Sequence, residues 1–157
     1  MDLTNKLYKV FLIAGSEPLG TAGMQADIKS VSACGGYAAG AITCIVDEDT
    51  IKVKSIHTIP PKMVTDQAYS FLEDVGADCI KTGMLYSKEL VVAIGEVIEK
   101  QTIPIVIDPV MVSSAGDKLL QDDAIQAYKD HLFPHSTINY AQPERGGFAI
   151  GKEPDKG

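Results

Sequence analysis

The stretch AGSEPLGTAGMQAD, residues 14–27, decides how this chain is read. It follows the apolar run VFLIA at 10–14, which is bounded by Lys9 and Gly15 and reads as a buried strand. After it, Met24, Ile28, Val31 and Cys34 recur at three- and four-residue steps, and Gly35-Gly36 supplies a stop, so a helix is expected from Ala22 to Cys34. A glycine-rich turn between strand and helix suggests a phosphate loop. Gly15 and Gly20 have the spacing of the first landmarks of G-x-x-x-x-G-K-[ST], but Thr21 stands where that loop needs its lysine. The turn must serve something else.

Working outward, the pattern of strand and helix repeats. YAAGAITCIV at 37–46 reads as a second strand, DEDT at 47–50 as a polar break, and IKVKSIHTI at 51–59 as a half-exposed strand. Pro60-Pro61 opens a helix whose apolar face is Met63, Val64, Ala68, Phe71, Leu72 and Val75, with Gly76 ending it. DCIKTGM is a strand entering another glycine turn, and SKELVVAIGEVIEK is a helix with Ser87 as N-cap. IPIVIDPVM is an apolar strand ending in Asp108-Pro109. Apolar strands joined by crossover helices imply an α/β domain with a mainly parallel sheet covered on both faces. Ligands of such sheets bind beyond the C-terminal ends of the strands. That rule selects Gly15–Gly23, Asp47–Thr50, Thr82–Tyr86 and Asp108–Asp117 as the lining of one crevice.

Each of these segments also has a plainer explanation. Glycine turns permit tight connections, Met84 and Met111 fill cores more often than they touch ligands, and Asp117 before Lys118 can simply cap the next segment. Their convergence is what favours a site. Helix N-termini lined by small residues suit a flat or phosphorylated small molecule, because backbone N–H groups can approach it closely.

Composition narrows the class further. The chain has 157 residues, 45% hydrophobic and 22% charged, which is enough for one domain with a real core. Its formal charge of −7 argues against nucleic acid and anionic membrane surfaces as partners. The three cysteines, Cys34, Cys44 and Cys79, are odd in number and sit among apolar residues, so they are expected as buried, reduced thiols. MDLTNKLYKV has no apolar segment of signal-peptide length, and no apolar run approaches the ~18 residues of a membrane span. A cytoplasmic location is expected.

Three segments, IAGSEPLGTAGMQADIKSVSACGGYAAGAIT, IKTGML and IDPVMVSSAGDKLL, carry a family likeness. In order and spacing they resemble the hydroxymethylpyrimidine and phosphomethylpyrimidine kinases of thiamine biosynthesis and their pyridoxal kinase relatives. That family's strings run close to A-G-S-D-x-S-G-G-A-G-I-Q-A-D, K-x-G-M-L and D-P-V-M-x-x-x-S-G-D. The resemblance implies a ribokinase-like, three-layer α/β/α fold with a mainly parallel central sheet, of which this chain matches the N-terminal portion and lacks the C-terminal part. It also implies ATP and Mg2+ as cofactors, a small pyrimidine substrate, and a homodimer. In the family the first glycine turn wraps the organic substrate and not the nucleotide. Carried over by position, Gly15, Ala22, Met84 and Val110 line the pyrimidine pocket, while Asp27 holds the turn or a dimer interface.

Departures from the family are informative. Glu48 occupies the place of a glutamine whose amide pairs with the pyrimidine edge; a carboxylate accepts hydrogen bonds but does not donate. With Asp47 and Asp49 beside it, a more negative rim and an altered substrate preference are expected. Leu19 and Thr21 replace small residues of the first turn, and Ala115 replaces a serine. Near the end, TINYAQPERGG matches I-T-P-N-x-x-E-A loosely. There Glu144 corresponds to a glutamate facing magnesium and phosphate, Ala141 stands in place of asparagine, and 141–157 is expected as a divergent, loosely ordered tail of the single domain.

The family's anion hole and catalytic base belong to the part without a counterpart here, so the chain alone is expected to transfer phosphoryl groups poorly. A non-catalytic small-molecule-binding or interaction module with the same ancestry is the alternative, and pyridoxal or pyridoxine the alternative substrate. A Rossmann dinucleotide domain fits less well, because the first turn is not G-x-G-x-x-G. A sheet of four or five parallel strands with an open edge is expected to pair with another chain.

Overall fold

In the computed structural model, which describes residues 6–110 and 122–139, every predicted alternation of strand and helix is present. The elements run β1 (Lys9–Ser16), α1 (Gly23–Ala33), β2 (Tyr37–Glu48), β3 (Val53–Thr58) and α2 (Pro61–Asp74). They continue with β4 (Cys79–Thr82), α3 (Lys88–Ile98), β5 (Ile105–Ile107), α4 (Asp122–Ala127) and β6 (Ile138–Asn139). One six-stranded sheet has the order β3-β2-β1-β4-β5-β6. All neighbours pair in parallel except β2 and β3, which form an antiparallel hairpin.

The period of two along β1 sorts its side chains between two layers. Phe11 and Ile13 enter the larger core with Val64 and Ala68 of α2, Ile80 of β4, and Val91, Ile94 and Ile98 of α3. Phe11 stacks on Phe71 with ring centroids 4.8 Å apart. Leu12 and Ala14 face the other way, onto Met24 of α1. The sheet is therefore the middle of three layers, with α1 on one side and α2, α3 and α4 on the other. Each fully buried branched side chain of α3 contributes about 1.5–3 kcal/mol, an upper figure because the unfolded chain already shields part of it.

Local chemistry explains the boundaries. Pro61 occupies the first turn of α2, and the Ser87 hydroxyl accepts from the Leu90 N–H to cap α3. The hairpin turn between β2 and β3 is built on Asp49, whose carboxylate accepts from the N–H groups of Ile51 and Lys52 at 2.9 and 3.0 Å.

Several expectations need correction. On α1 only Met24 is buried; Ile28 and Cys34 are exposed, because no described element covers that flank. On α2, Met63 is exposed: it lies about 100° around the helix from Val64. Val75 is exposed because it stands past the last turn as the chain leaves at Gly76. The three cysteines are free, but only Cys44 is buried; Cys79 is half-buried. β2 runs through Asp47 and Glu48, so the polar break is shorter than expected.

β5 is only three residues long. The Asp108 N–H still reaches the Thr82 carbonyl at 3.2 Å, but Pro109 has no N–H with which to extend the ladder. α4 and β6 were not anticipated. Ala124, Ala127, Tyr128 and Leu132 do carry a helical stripe, and all four are buried. The expectations for Met111, Ala115, Asp117, Ala141, Glu144 and the 141–157 tail lie outside the described residues.

Candidate functional site

The strand order reverses direction between β1 and β4, so the loops that leave their C-terminal ends diverge and open a crevice. On the β1 side, the loop closes around Glu17. This buried carboxylate accepts from the backbone N–H groups of Gly20 at 2.9 Å, Thr21 at 2.5 Å and Ala22 at 2.8 Å, and also from Leu19. Burial alone would push the Glu17 carboxyl up, but the N–H donors of Ala22, Gly20, Thr21 and Leu19 together hold it below the usual range.

The backbone N–H groups of the glycine turn do form an anion seat, although the phosphate-loop spacing is incomplete, and the chain's own carboxylate fills it. Sequence reasoning passed over Glu17. The signal was an acid just past the strand end, followed by a run of small residues whose N–H groups need an acceptor.

Gly23 closes the turn with φ +58°, and a Cβ there would lie 2.4 Å from the Gly15 carbonyl oxygen. Gln25 ties the helix back to the turn by donating to the Ser16 hydroxyl at 2.6 Å. Ala22 stands exposed at the mouth of the turn, with its N–H already given to Glu17.

Opposite the turn is a compact apolar wall. Cys44 and Val46 of β2 and Met84 after β4 are buried together, with Val53, Ile56, Tyr86 and Val110 packed against them. Gly15 belongs to the same place, since a Cβ on it would lie 2.9 Å from Cys44 Sγ and 3.8 Å from Met84 Sδ. The Thr43 hydroxyl donates to the Met84 carbonyl at 2.7 Å, passing over β1 to tie β2 to the β4 loop. Tyr86 has φ 63°, an uncommon conformation for a bulky residue, and it turns the chain from this apolar wall into α3.

Gly15, Met84 and Val110 are therefore brought together. Alternation along β2 puts half-buried Glu48 on the same face as Cys44 and Val46, at the rim of this wall, where it pairs with Val53.

The expected acidic rim is narrower than the run of acids implies. Asp47 points to the opposite face, and Asp49 is engaged by the Ile51 and Lys52 N–H groups and by Lys54, 3.1 Å away. Those two N–H groups, then Lys54, hold the Asp49 carboxyl below its usual range. Burial pushes the Cys44 thiol up, so it is a packed wall group and not a thiolate.

A second cluster lies at the ends of β4 and β5. Lys81 Nζ is 2.7 Å from Asp27 of α1 and 3.6 Å from Asp108. Asp27 is thus tied to β4, and of the two roles expected for it, turn or dimer interface, the first falls to Glu17. Burial pushes the Asp108 carboxyl up, Lys81 pulls it down, and nearby Asp27 adds to the rise. Among the described residues no three His, Cys, Asp or Glu side chains converge as a metal site. No described helix is long and apolar enough to cross a membrane.

The family model for phosphomethylpyrimidine kinase matches residues 17–141, from the carboxylate that organises the first turn to just beyond β6. The chain belongs to this family. It is 39% identical over 140 residues to a thiamine biosynthesis bifunctional protein of Geobacter sulfurreducens, covering 87% of this chain and 29% of that protein. It is 37% identical over 132 residues to the hydroxymethylpyrimidine/phosphomethylpyrimidine kinase of Mycobacterium leprae, covering 83% and 47%.

Among solved structures, a phosphomethylpyrimidine kinase from Clostridium difficile 630 superposes with TM-score 0.78 at 34% identity, covering 84% of this chain and 58% of that one. A pyridoxal kinase from Staphylococcus aureus, solved with AMP-PCP and pyridoxal, superposes with TM-score 0.74 at 34% identity, covering 86% and 48%. The fold is the ribokinase-like α/β arrangement of these relatives. The chain spans about half or less of the length of the curated relatives named here.

Proposed function

We propose that this chain supplies the organic-substrate portion of an ATP-dependent kinase that phosphorylates hydroxymethylpyrimidine or its monophosphate. The observation that carries this reading is the meeting of Gly15, Met84 and Val110 in one apolar wall at the switch point, with Glu48 at its rim. A flat ring fits a site made of a bare glycine backbone, a thioether and a branched aliphatic side chain. The Glu48 carboxylate accepts from an exocyclic ring amine. Exposed Ala22 closes the mouth of the turn.

The reaction joins the ring's hydroxymethyl oxygen to the γ-phosphorus of ATP, breaks the bond from that phosphorus to the β,γ-bridging oxygen, passes the hydroxyl proton to a base and releases ADP. The described residues orient the ring and shield it from water. ATP as donor is supported by the S. aureus pyridoxal kinase solved with AMP-PCP. Mg2+, with Glu144 near it, a homodimeric assembly and a cytoplasmic setting belong to the same proposal.

A second reading, a ring-binding module without transferase activity, is favoured by Glu48, which replaces a glutamine amide donor with an acceptor. Calorimetric titration of the chain with hydroxymethylpyrimidine, pyridoxal and ATP-Mg2+, with Glu48→Gln alongside, separates the readings. Ring binding that Glu48→Gln tightens, without ATP binding, is the outcome expected for the substrate portion of a kinase. No ring binding by either form would refute the pocket. Ring binding by the native chain that Glu48→Gln weakens, with no transfer when ATP-Mg2+ is added, would favour the module.

A further inference from the structure

We infer that Lys81 is a positioning residue for this pocket: its ammonium, shared between Asp27 of α1 and Asp108 after β5, holds the Asp108-Pro109-Val110 segment against the crevice. The inference rests on the pocket reading above only where it concerns ring affinity.

Alternation along β4 buries Ile80 and Thr82 toward α3 and turns Lys81 to the α1 side of the sheet. There its side chain is 22% exposed, and those of Asp27 and Asp108 are 21% and 19% exposed. An apolar residue would cover the sheet at this point without the cost of drawing three charges partly out of water. One cation facing two carboxylates leaves the trio one negative charge in excess.

Asp108 gives its N–H to Thr82, and Val110 gives its N–H back to the Asp108 carbonyl at 2.9 Å, closing a tight turn around Pro109. Among the described residues, the partner of the Asp108 carboxylate is Lys81. Because Val110 is two residues on and packs against the Met84 wall, the set of the Asp108 side chain fixes where that wall ends. The same ammonium binds α1, which starts from the first turn, so Lys81 couples both sides of the crevice.

Among the described residues, the titratable groups that face Asp108 are Asp27 from α1, Lys81 from β4 and, across the sheet, Tyr128 after α4. The Tyr128 hydroxyl lies 3.5 Å from the Gly83 carbonyl, to which it donates, and burial followed by the charge of Asp108 keeps it protonated.

Carboxyl carbon NMR of the whole chain across pH tests this, with Lys81→Met, Lys81→Arg and Asp27→Asn as variants. In Lys81→Met the Asp108 midpoint is expected to rise by about one to three pH units, with the Val110 amide and Met84 methyl signals displaced. Lys81→Arg is expected to restore most of both. Asp27→Asn, which removes the competing carboxylate, is expected to lower the Asp108 midpoint. An unchanged Asp108 midpoint and Val110 amide in Lys81→Met would overturn the inference. Should that variant not fold, an unchanged midpoint in Asp27→Asn would overturn it equally.

Affinity for hydroxymethylpyrimidine is expected to fall about tenfold in Lys81→Met and to recover in Lys81→Arg. Affinity that holds while the midpoint moves would overturn the positioning role. Absence of ring binding by the native chain would refute the pocket and leave the Asp108 midpoint to decide what Lys81 holds.

Discussion

The Glu17 carboxylate accepts the Ala22 backbone N–H at 2.8 Å, five residues along the chain, and so converts an open loop into a closed ring of donors around one acid. A neutral amide at this position offers one acceptor oxygen in place of two, so some N–H groups of the turn lose their charged acceptor. Glu17→Gln is therefore expected to destabilise the chain by about 1–3 kcal/mol at neutral pH.

The sign of its pH dependence follows from the depressed carboxyl. A group that is more acidic when folded contributes fully above its unfolded pKa of about 4.3 and loses that contribution as pH falls through the folded value. The stability gap between native chain and Glu17→Gln, measured by urea unfolding, should be flat from neutral pH down to about pH 5 and shrink below it. A gap that stays constant to pH 3 would contradict this account.

Two glycines with left-handed backbone separate strain from collision. A Cβ on Gly35, φ +80°, meets nothing within 4 Å, whereas one on Gly23, φ +58°, strikes the Gly15 carbonyl. Gly35→Ala is expected to cost about 1–2 kcal/mol from backbone conformation alone. Gly23→Ala should cost more, and it should also weaken ring binding, because Gly15 must move. Thermal unfolding of both variants checks the order; equal losses would show that the loop relaxes around the new methyl.

Thr43→Val keeps the shape of a fully buried side chain and removes its hydroxyl. The Met84 carbonyl then loses its donor from β2. The expected loss is about 1–3 kcal/mol in chemical denaturation, together with faster amide exchange along 82–86. Protection unchanged at Met84 and Leu85 would mean that Thr43 does not anchor the pocket wall.

Much of the architecture was legible in the residues because the strands are short, apolar and punctuated by glycine. VFLIA, DCIKTGM and IPIVIDPVM each located a strand, and the switch-point rule selected the loops at Gly15 and Met84 that the fold brings together. Helix faces were read less well: Ile28 keeps helical spacing with buried Met24 and Met63 stands next to buried Val64, but position alone does not say which flank a neighbouring layer reaches. Glu17 and Lys81 escaped notice for a related reason. Their partners, backbone N–H groups in one case and carboxylates 54 and 27 positions away in the other, meet them only once the chain has folded.

Val53 and Ile56 belong to a strand at the border of the sheet, yet they pack on the same wall as Met84. Border strands tolerate substitution, since one side of their ladder is unpaired, whereas β1 and β4 are flanked by strands on both sides. In the proposed pocket the ring therefore leans on two kinds of material, a rigid keel and a replaceable rail. Changes confined to the rail can retune which ring is accepted while the keel, and with it the capacity to fold, is left alone.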